Sequence, residues 1–305
     1  MLLSPLSLCA QESQTAYNFL RLPVSAHAAA LGGDNITIDD DDASLIFHNP
    51  SLINNASDNS INLNFMTYME GARTASAAYV RRAGDRATWG AAAQFMDYGS
   101  MKETDYTGEV LGDFSAKDIA VSGTLAYALS STVAGGITAR IISSHIAGYS
   151  SLGVGVDLGL NYFNDESLWS LSAVAKNLGG QVKAYDDEFS RIPLDLQIGV
   201  SKRLQGSPLR LSGTLTRLND WSDGLGRHLT IGADLILSQS IYLAAGYNFR
   251  RKHQMAISDD EGTSAHGAGL SLGAGLQLER FKLHMAYARY HVSASSLLAS
   301  ISYSL

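Results

Sequence analysis

The sequence predicts an all-β protein: a 14-stranded antiparallel transmembrane β-barrel with an N-terminal plug segment. Three observations predict it. In SLGVGVDLGLNYFN, Ser151 to Asn164, the residues Leu152, Val154, Val156, Leu158, Leu160 and Tyr162 occupy every second position, with Gly153, Gly155, Asp157, Gly159 and Asn161 between them. Period two is a strand, and a carboxylate opposite an unbroken apolar row suits a wet lumen better than a dry sandwich core. The links between such stretches alternate short and long, as they do between the two sides of an outer-membrane barrel, except at the first and last hairpins, whose outer links are short. Finally, SLLASISYSL ends the chain inside a strand, as a barrel requires if its last strand closes on its first.

Composition agrees and excludes some functions. Charged residues make up 17% of 305, hydrophobic ones 46%, and glycine and tyrosine are abundant, which is compatible with membrane strands; a secreted all-β protein has a similar balance. A net charge of −7 leaves no basic footprint for nucleic acid.

Residues 1–10, MLLSPLSLCA, read as the remnant of a signal peptide, apolar and ending at a small residue, although no basic stretch precedes it. Lipid attachment at Cys9 is the weaker reading because Leu8 is larger than the small residue such processing takes. Cleavage after Ala10 would remove the one cysteine and with it any disulfide or thiol chemistry.

Residues 11–59 form the expected periplasmic or plug segment: an Ala-rich run, four aspartates at Asp39 to Asp42, and a plug turn at His48, Asn49 and Pro50. The aspartates lack the interleaved ligands and turn glycine of a calcium loop and read as a solvated run. No second His or Cys stands at ligand spacing from His48.

Residues 60–305 form the expected barrel, with strands at 60–69, 74–82, 87–98, 115–129, 132–143, 151–163, 168–177, 193–204, 208–217, 228–238, 240–250, 266–278, 280–290 and 295–305. The first three are the least regular. Opposite the apolar rows stand Asp157, Asn161, Asp195, Gln197, Arg210, Asp234, Asn248 and His284, expected to face inward because a basic residue toward lipid costs about 2–4 kcal/mol at the midplane. The long links are expected at 99–114, 144–150, 178–192, 218–227 and 251–265. Ile119 to Ala139 carries no charge but keeps period two, so it reads as two strands rather than a membrane helix. Tyr127, Tyr162, Trp169, Tyr247, Phe281, Tyr287 and Tyr303 suit aromatic girdles.

No catalytic constellation stands out. Gly153-Val154-Gly155 and Gly267-Ala268-Gly269 lack the third glycine of a dinucleotide site and lie within strands, so they read as packing glycines, and no nucleophile elbow, zinc motif or P-loop is present. No enzyme activity, cofactor or metal is expected.

Fourteen strands after a plug with an Asn-Pro turn resemble the FadL-like barrels, a group that includes hydrophobic-solute transporters and two components of type IX secretion, the PorV-like and PorQ-like proteins. NFLRLPVSAHAAALGG, FHNPSL, DYGSMKETD, FSAKDIAVSG and GVDLGLNYF are more similar to the PorQ-like group. That resemblance implies a multi-pass protein in the outer membrane of a didermal bacterium, in contact with outer-membrane lipid. It would be a non-enzymatic anchor in the attachment complex, holding a PorZ-like surface protein beside PorU-like and PorV-like components. The broader resemblance implies the alternative, a FadL-like channel for uptake of hydrophobic solutes. Outer loops carrying aromatic and charged residues are the expected partner contacts: Tyr106, Phe114, Tyr185, Asp186, Asp187, Phe189, Trp221, Arg250, Arg251 and His253.

Overall fold

The computed structural model describes residues 15–220, 224–254, 257–259, 262–264, 267–290 and 294–305. Its strands are β1 (Ser60–Thr67), β2 (Arg73–Ala83), β3 (Ala87–Thr104), β4 (Val110–Ala128), β5 (Val133–Ile146), β6 (Tyr149–Asn164), β7 (Trp169–Lys183), β8 (Asp195–Arg203), β9 (Leu209–Leu215), β10 (Leu229–Ile236), β11 (Ile241–Asn248), β12 (Ile257–Asp259), β13 (Gly262–Ser264), β14 (Leu270–Gln277), β15 (Phe281–Ala288) and β16 (Ser296–Ser304). All but β12 and β13 join in one closed antiparallel ring of 14 strands. It shuts where β16 meets β1, with Ser60 opposite Ser304 and Met66 opposite Leu298. β12 and β13 form a separate two-stranded ribbon within the link from β11 to β14.

Alternation sets the two faces of the wall. In β1, Ile61, Leu63 and Phe65 are exposed on the outside, while Ser60, Asn62, Asn64 and Met66 are buried inside. The same phase runs through β4, where Ile119, Val121 and Leu125 face out, and β6, where Leu152, Val154, Leu158 and Leu160 do. This outer surface is apolar over most of the ring, which water would not tolerate and a bilayer would. Tyr127, Tyr162, Trp169, Phe281, Tyr287 and Tyr303 are also exposed on it. Inside, polar side chains satisfy one another: Asn62 donates to Ser302 Oγ at 3.0 Å and Asn64 to Ser76 Oγ at 2.9 Å. The first strands look irregular in sequence because several of their outward positions are alanine, at Ala75, Ala77, Ala91 and Ala93.

The structure lengthens one side of the barrel beyond expectation. β3 and β4 run to 18 and 19 residues, about 60 Å of extended chain, so most of the link expected at 99–114 is strand. β5, β6 and β7 likewise absorb most of 144–150 and part of 178–192. Gly99, at φ +78°, sits in the register shift between Asp97 and Ser100 and lets the hairpin continue beyond the ring. Opposite, the strand expected to reach residue 250 stops at Asn248. Asn248 Oδ1 accepts from Arg251 N at 3.1 Å and turns the chain into helix α2 (Phe249–Gln254).

Residues 15–59 lie inside the ring. They consist of short pieces: 3-10 turns at Asn18–Arg21, Ala43–Phe47 and Pro50–Asn55, and helix α1 (Ala26–Ala30). Two of the turns start the same way. Asp42 accepts from Ser44 N and Oγ at 2.9 and 2.7 Å, and Asn49 from Ser51 N and Oγ at 3.1 and 2.7 Å. Contacts all round the ring hold the segment. Ala26 N donates to Ser300 of β16, Ser271 of β14 to Ala30 O, Asn248 of β11 to Gly32 O, and Gln94 of β3 to Phe19 O. Phe19, Leu31, Ile36, Ile38, Leu45, Leu52 and Ile53 are fully buried, each contributing about 1.5–3 kcal/mol.

Candidate functional site

The barrel interior holds two functional features, a set of ion pairs that fasten the N-terminal segment and a cavity above it. The ion pairs begin with the four aspartates. Arg210 of β9 donates from Nη1 and Nη2 to the two oxygens of Asp40, both at 2.8 Å, and from Nε to Asp234 of β10 at 2.8 Å. Asp234 is also 2.8 Å from His27 Nε2 on α1, and the His27 ring stacks on Tyr242 with centroids 4.1 Å apart. Lys282 of β15 reaches Asp41 at 2.5 Å and also donates to its backbone carbonyl at 2.8 Å.

The expectation of a solvated acidic run is therefore corrected. Asp40 and Asp41 pair with basic residues that the strands bring inward, because a buried cation requires an anion beside it, and Asp42 caps the turn at Ser44. Burial opposes charge on Asp40, yet the Arg210 guanidinium, by charge and by two hydrogen bonds, holds its carboxyl below the usual range. Burial likewise opposes charge on Asp41, and Lys282 and Ser57 hold it low. Asp39 has no such cation at contact. Burial, then the neighbouring Asp40 charge, push it up to about 7.

The plug turn touches the wall itself. A Cβ on Gly136 of β5 would stand 2.4 Å from the Pro50 backbone, and one on Gly159 of β6 would stand 2.2 Å from Asn49 Oδ1. These glycines give the Asn-Pro turn room, and Gly153 does the same for the ring of Tyr17. His48 is buried and accepts from Ser25 N at 3.2 Å. Burial, then the Lys176 charge, lower its pKa well below the ordinary value, in keeping with a neutral acceptor.

Above the segment, at the end of the barrel with the long links, is a cavity of about 540 Å³. Leu20, Leu22, Pro23, Tyr68, Met69 and Tyr290 make its apolar side, while Lys176, Asn177, Asp195, Gln197, Arg217, Arg250 and Arg251 contribute polar groups. Its acids are engaged: Asp195 accepts from Gln197 at 2.8 Å and from Arg217 N at 2.6 Å, and Asp34 from Asn248 at 2.7 Å. The Lys176 ammonium makes no hydrogen bond or ion pair among the described residues. Arg251 lies over the Tyr290 ring at 4.1 Å and donates to Gly32 O at 3.1 Å. Burial raises the Tyr290 hydroxyl to about 12 in spite of that guanidinium.

The residues expected to contact a partner separate into groups. Arg250 and Arg251 come together at the cavity, and Arg250 is buried there. The physical reason is α2, which folds that stretch down toward the lumen instead of continuing β11 outward. His253 is exposed and its Nδ1 lies 2.9 Å from Phe249 O within α2. Tyr106 is fully exposed at the tip of the β3–β4 hairpin, whereas Phe114 is half-buried lower on the same hairpin. Tyr185 is half-buried and donates to Ser144, while Asp186, Asp187 and Phe189 are exposed in the link from β7 to β8. Trp221 lies outside the described residues.

Sequence reading missed Lys176, Asp34 and Tyr290. Lys176 had a signal, since Lys176-Asn177 interrupts the alternation of β7. There Asn177 takes φ +60° and its N–H donates to Asp157 Oδ1 at 2.7 Å, replacing a ladder bond. Asp34 and Tyr290 lie in links and are brought to the cavity by tertiary structure alone. Among the described residues no cluster of three or more His, Cys, Asp or Glu is placed to hold a metal.

No family model matches this chain, and no curated protein matches it. Solved structures do. The TodX deltaS2S3 mutant, a monoaromatic hydrocarbon channel, aligns with a TM-score of 0.63 at 13% identity over 92% of this chain and 98% of that one. The monoaromatic hydrocarbon channel CymD aligns at 0.60 and 14%, over 94% and 98%. The Pseudomonas putida toluene transporter TodX aligns at 0.58 and 14%, over 92% and 98%. At these identities the likeness is one of fold, a closed 14-stranded antiparallel barrel. It does not extend to the narrower PorQ-like resemblance.

Proposed function

We propose that this chain is a FadL-like channel of the outer membrane that admits small hydrophobic solutes, with residues 15–59 as the movable stopper of its lumen. The observation that carries this reading is the cavity of about 540 Å³ at the outer mouth, floored by that segment. Leu20, Leu22 and Pro23 of the segment itself line it, so a solute resting there touches the part that must move. The fold shared with hydrocarbon channels supports the same reading. Apart from the chain's own continuation into β1, no covalent link ties the segment to the strands among the described residues, and its ion pairs can exchange for water if it shifts toward the periplasm.

The test uses a lock. Ala26 N stands 3.0 Å from Ser300 Oγ, so Ala26→Cys with Ser300→Cys, in a Cys9→Ser background, should cross-link α1 to β16 under oxidation. Uptake of a radiolabelled monoaromatic hydrocarbon into cells is then measured with and without reductant. The channel reading expects uptake to fall on oxidation and return on reduction. Equal uptake in both states would show that this segment does not gate passage.

A second reading is supported by a different observation. The β3–β4 hairpin exposes Tyr106, Val110 and Leu111 far beyond the ring, more apolar surface than solvation of a rim requires. In that reading the barrel is a PorQ-like anchor of type IX secretion, and the hairpin holds a PorZ-like surface protein beside PorU-like and PorV-like components. Purification from native outer membranes in mild detergent separates the two. A retained surface protein that is lost when residues 100–114 are shortened favours the anchor, and a hydrophobic solute retained without protein favours the channel.

A further inference from the structure

The outer wall carries a feature that passage through the lumen does not use. On four adjacent strands, three basic residues and a serine stand side by side at one height. Lys117 of β4 is opposite His145 of β5, and His145 is opposite Ser150 of β6. From β7, the Lys183 ammonium donates to Ser150 Oγ at 2.8 Å. Lys117, His145 and Lys183 are all exposed, and Lys117 makes no ion pair among the described residues. One acid borders the row: Asp97 of β3, opposite Lys117, which accepts from Gly99 N at 3.0 Å. The row lies toward the long links, the side that faces out of the cell in such barrels.

Directly below it the same four strands form a hollow of about 500 Å³ in the apolar surface. Its base is where side chains are missing, at the cross-strand pair Gly123 and Ala139, and Val121, Ile141, Val154 and Leu178 stand around it. A Cβ on Gly123 would meet nothing within 4 Å, so the space is open. Four residues separate Lys117 from Val121, His145 from Ile141 and Ser150 from Val154, about 13 Å along each strand. That is the depth from a headgroup into the acyl region of one leaflet.

We infer that the outer face of β4 to β7 binds a phosphorylated lipid of the outer leaflet, its phosphate on Lys117, His145 and Lys183 and an acyl chain in the hollow at Gly123 and Ala139. Charge complementarity selects an anionic headgroup, because ammonium groups and a serine hydroxyl are phosphate donors, and Asp97 is the one carboxylate in register with Lys117. The hollow adds what free phosphate could not use. A chain lying in it replaces lipid that would otherwise have to bend to fill an uneven wall.

The full-length protein is purified from native outer membranes in mild detergent, and the phosphorus-containing lipid retained per barrel is measured by native mass spectrometry and organic phosphate assay. Wild type should retain it. Lys117→Gln with His145→Gln and Lys183→Gln should reduce retention by about tenfold or more. Gly123→Leu with Ala139→Leu, which fills the hollow and keeps every charge, should reduce it too. Lys202→Gln, at the opposite rim over Trp169, should leave it unchanged. Unboiled gel mobility reports folding, and if the triple variant does not fold the hollow-filling variant decides. Absence of phosphorylated lipid from wild type, retention by the hollow-filling variant, or equal loss in Lys202→Gln overturns the site.

Discussion

Arg210 is the residue on which the interior electrostatics converge. It satisfies Asp40 on the segment and Asp234 on the wall at once, so its removal takes from Asp40 its bidentate partner and leaves the buried Asp234 with His27 alone. Arg210→Met should weaken attachment of the segment by about 3–5 kcal/mol, read as faster hydrogen exchange over residues 26–42 while the barrel keeps its folded gel mobility. Arg210→Met with Asp40→Asn and Asp234→Asn should recover much of that loss, because no charge is then left alone. Asp39 behaves oppositely. With its pKa raised to about 7 by burial and then by Asp40, it binds a proton more tightly folded than unfolded. The stabilisation that proton provides is complete below the ordinary carboxylate range and disappears as pH rises from about 4 to 7. Asp39→Asn should therefore match wild type in thermal unfolding near pH 4 and exceed it above pH 7, by about 1–2 kcal/mol after screening by water. A constant difference at every pH would contradict this assignment. Asp40 has the other sign: its depressed pKa stabilises the fold at neutral pH, and that contribution is lost only as pH falls through the lowered value.

Among the elements, the β3–β4 hairpin and the Asn-Pro turn depend on different physics. Below Asp97 and Lys117 the hairpin is ordinary barrel ladder, and above the register shift at Ser100 it no longer serves closure of the ring. Replacing residues 100–114 by a two-residue turn should leave the folded gel mobility and thermal midpoint of the barrel nearly unchanged. A failure to fold would show that the projecting half is needed for assembly. The Asn-Pro turn has no such freedom. Gly136→Val places atoms into the Pro50 backbone, which cannot yield as a flexible side chain could. The turn should leave the wall, and protease should then cleave within residues 43–55 of the folded barrel, a cut that wild type resists.

At the scale of the whole molecule, closure is what makes the wall stable in a bilayer. β16 supplies hydrogen bonds to both β15 and β1, so deleting residues 296–305 opens two edges in a medium without water to satisfy them. That truncation should abolish the heat-modifiable folded form, whereas shortening the exposed links should not. The sequence by itself determined the ring: period two and the parity of most link lengths are local signals, and each is a direct consequence of spanning lipid with strands. It also determined which polar residues face inward, since Asp157, Arg210, Asp234 and His284 share the phase of their strands. Tertiary structure alone decided their partners. Asp40 lies 170 residues from Arg210, and no spacing rule connects an acidic run in the leading segment to a lone arginine in the ninth strand. For the same reason Gly153, read as a packing glycine, proved to make room for the ring of Tyr17, and no local pattern marked Gly136 and Gly159 as the positions that make room for one proline and one asparagine. The arginines expected at the rim are divided between a buried cavity wall and a ring stack, because α2 turns the chain inward after Asn248. Local pattern specifies which way a side chain points, and closure of the ring around the N-terminal segment decides what it meets there.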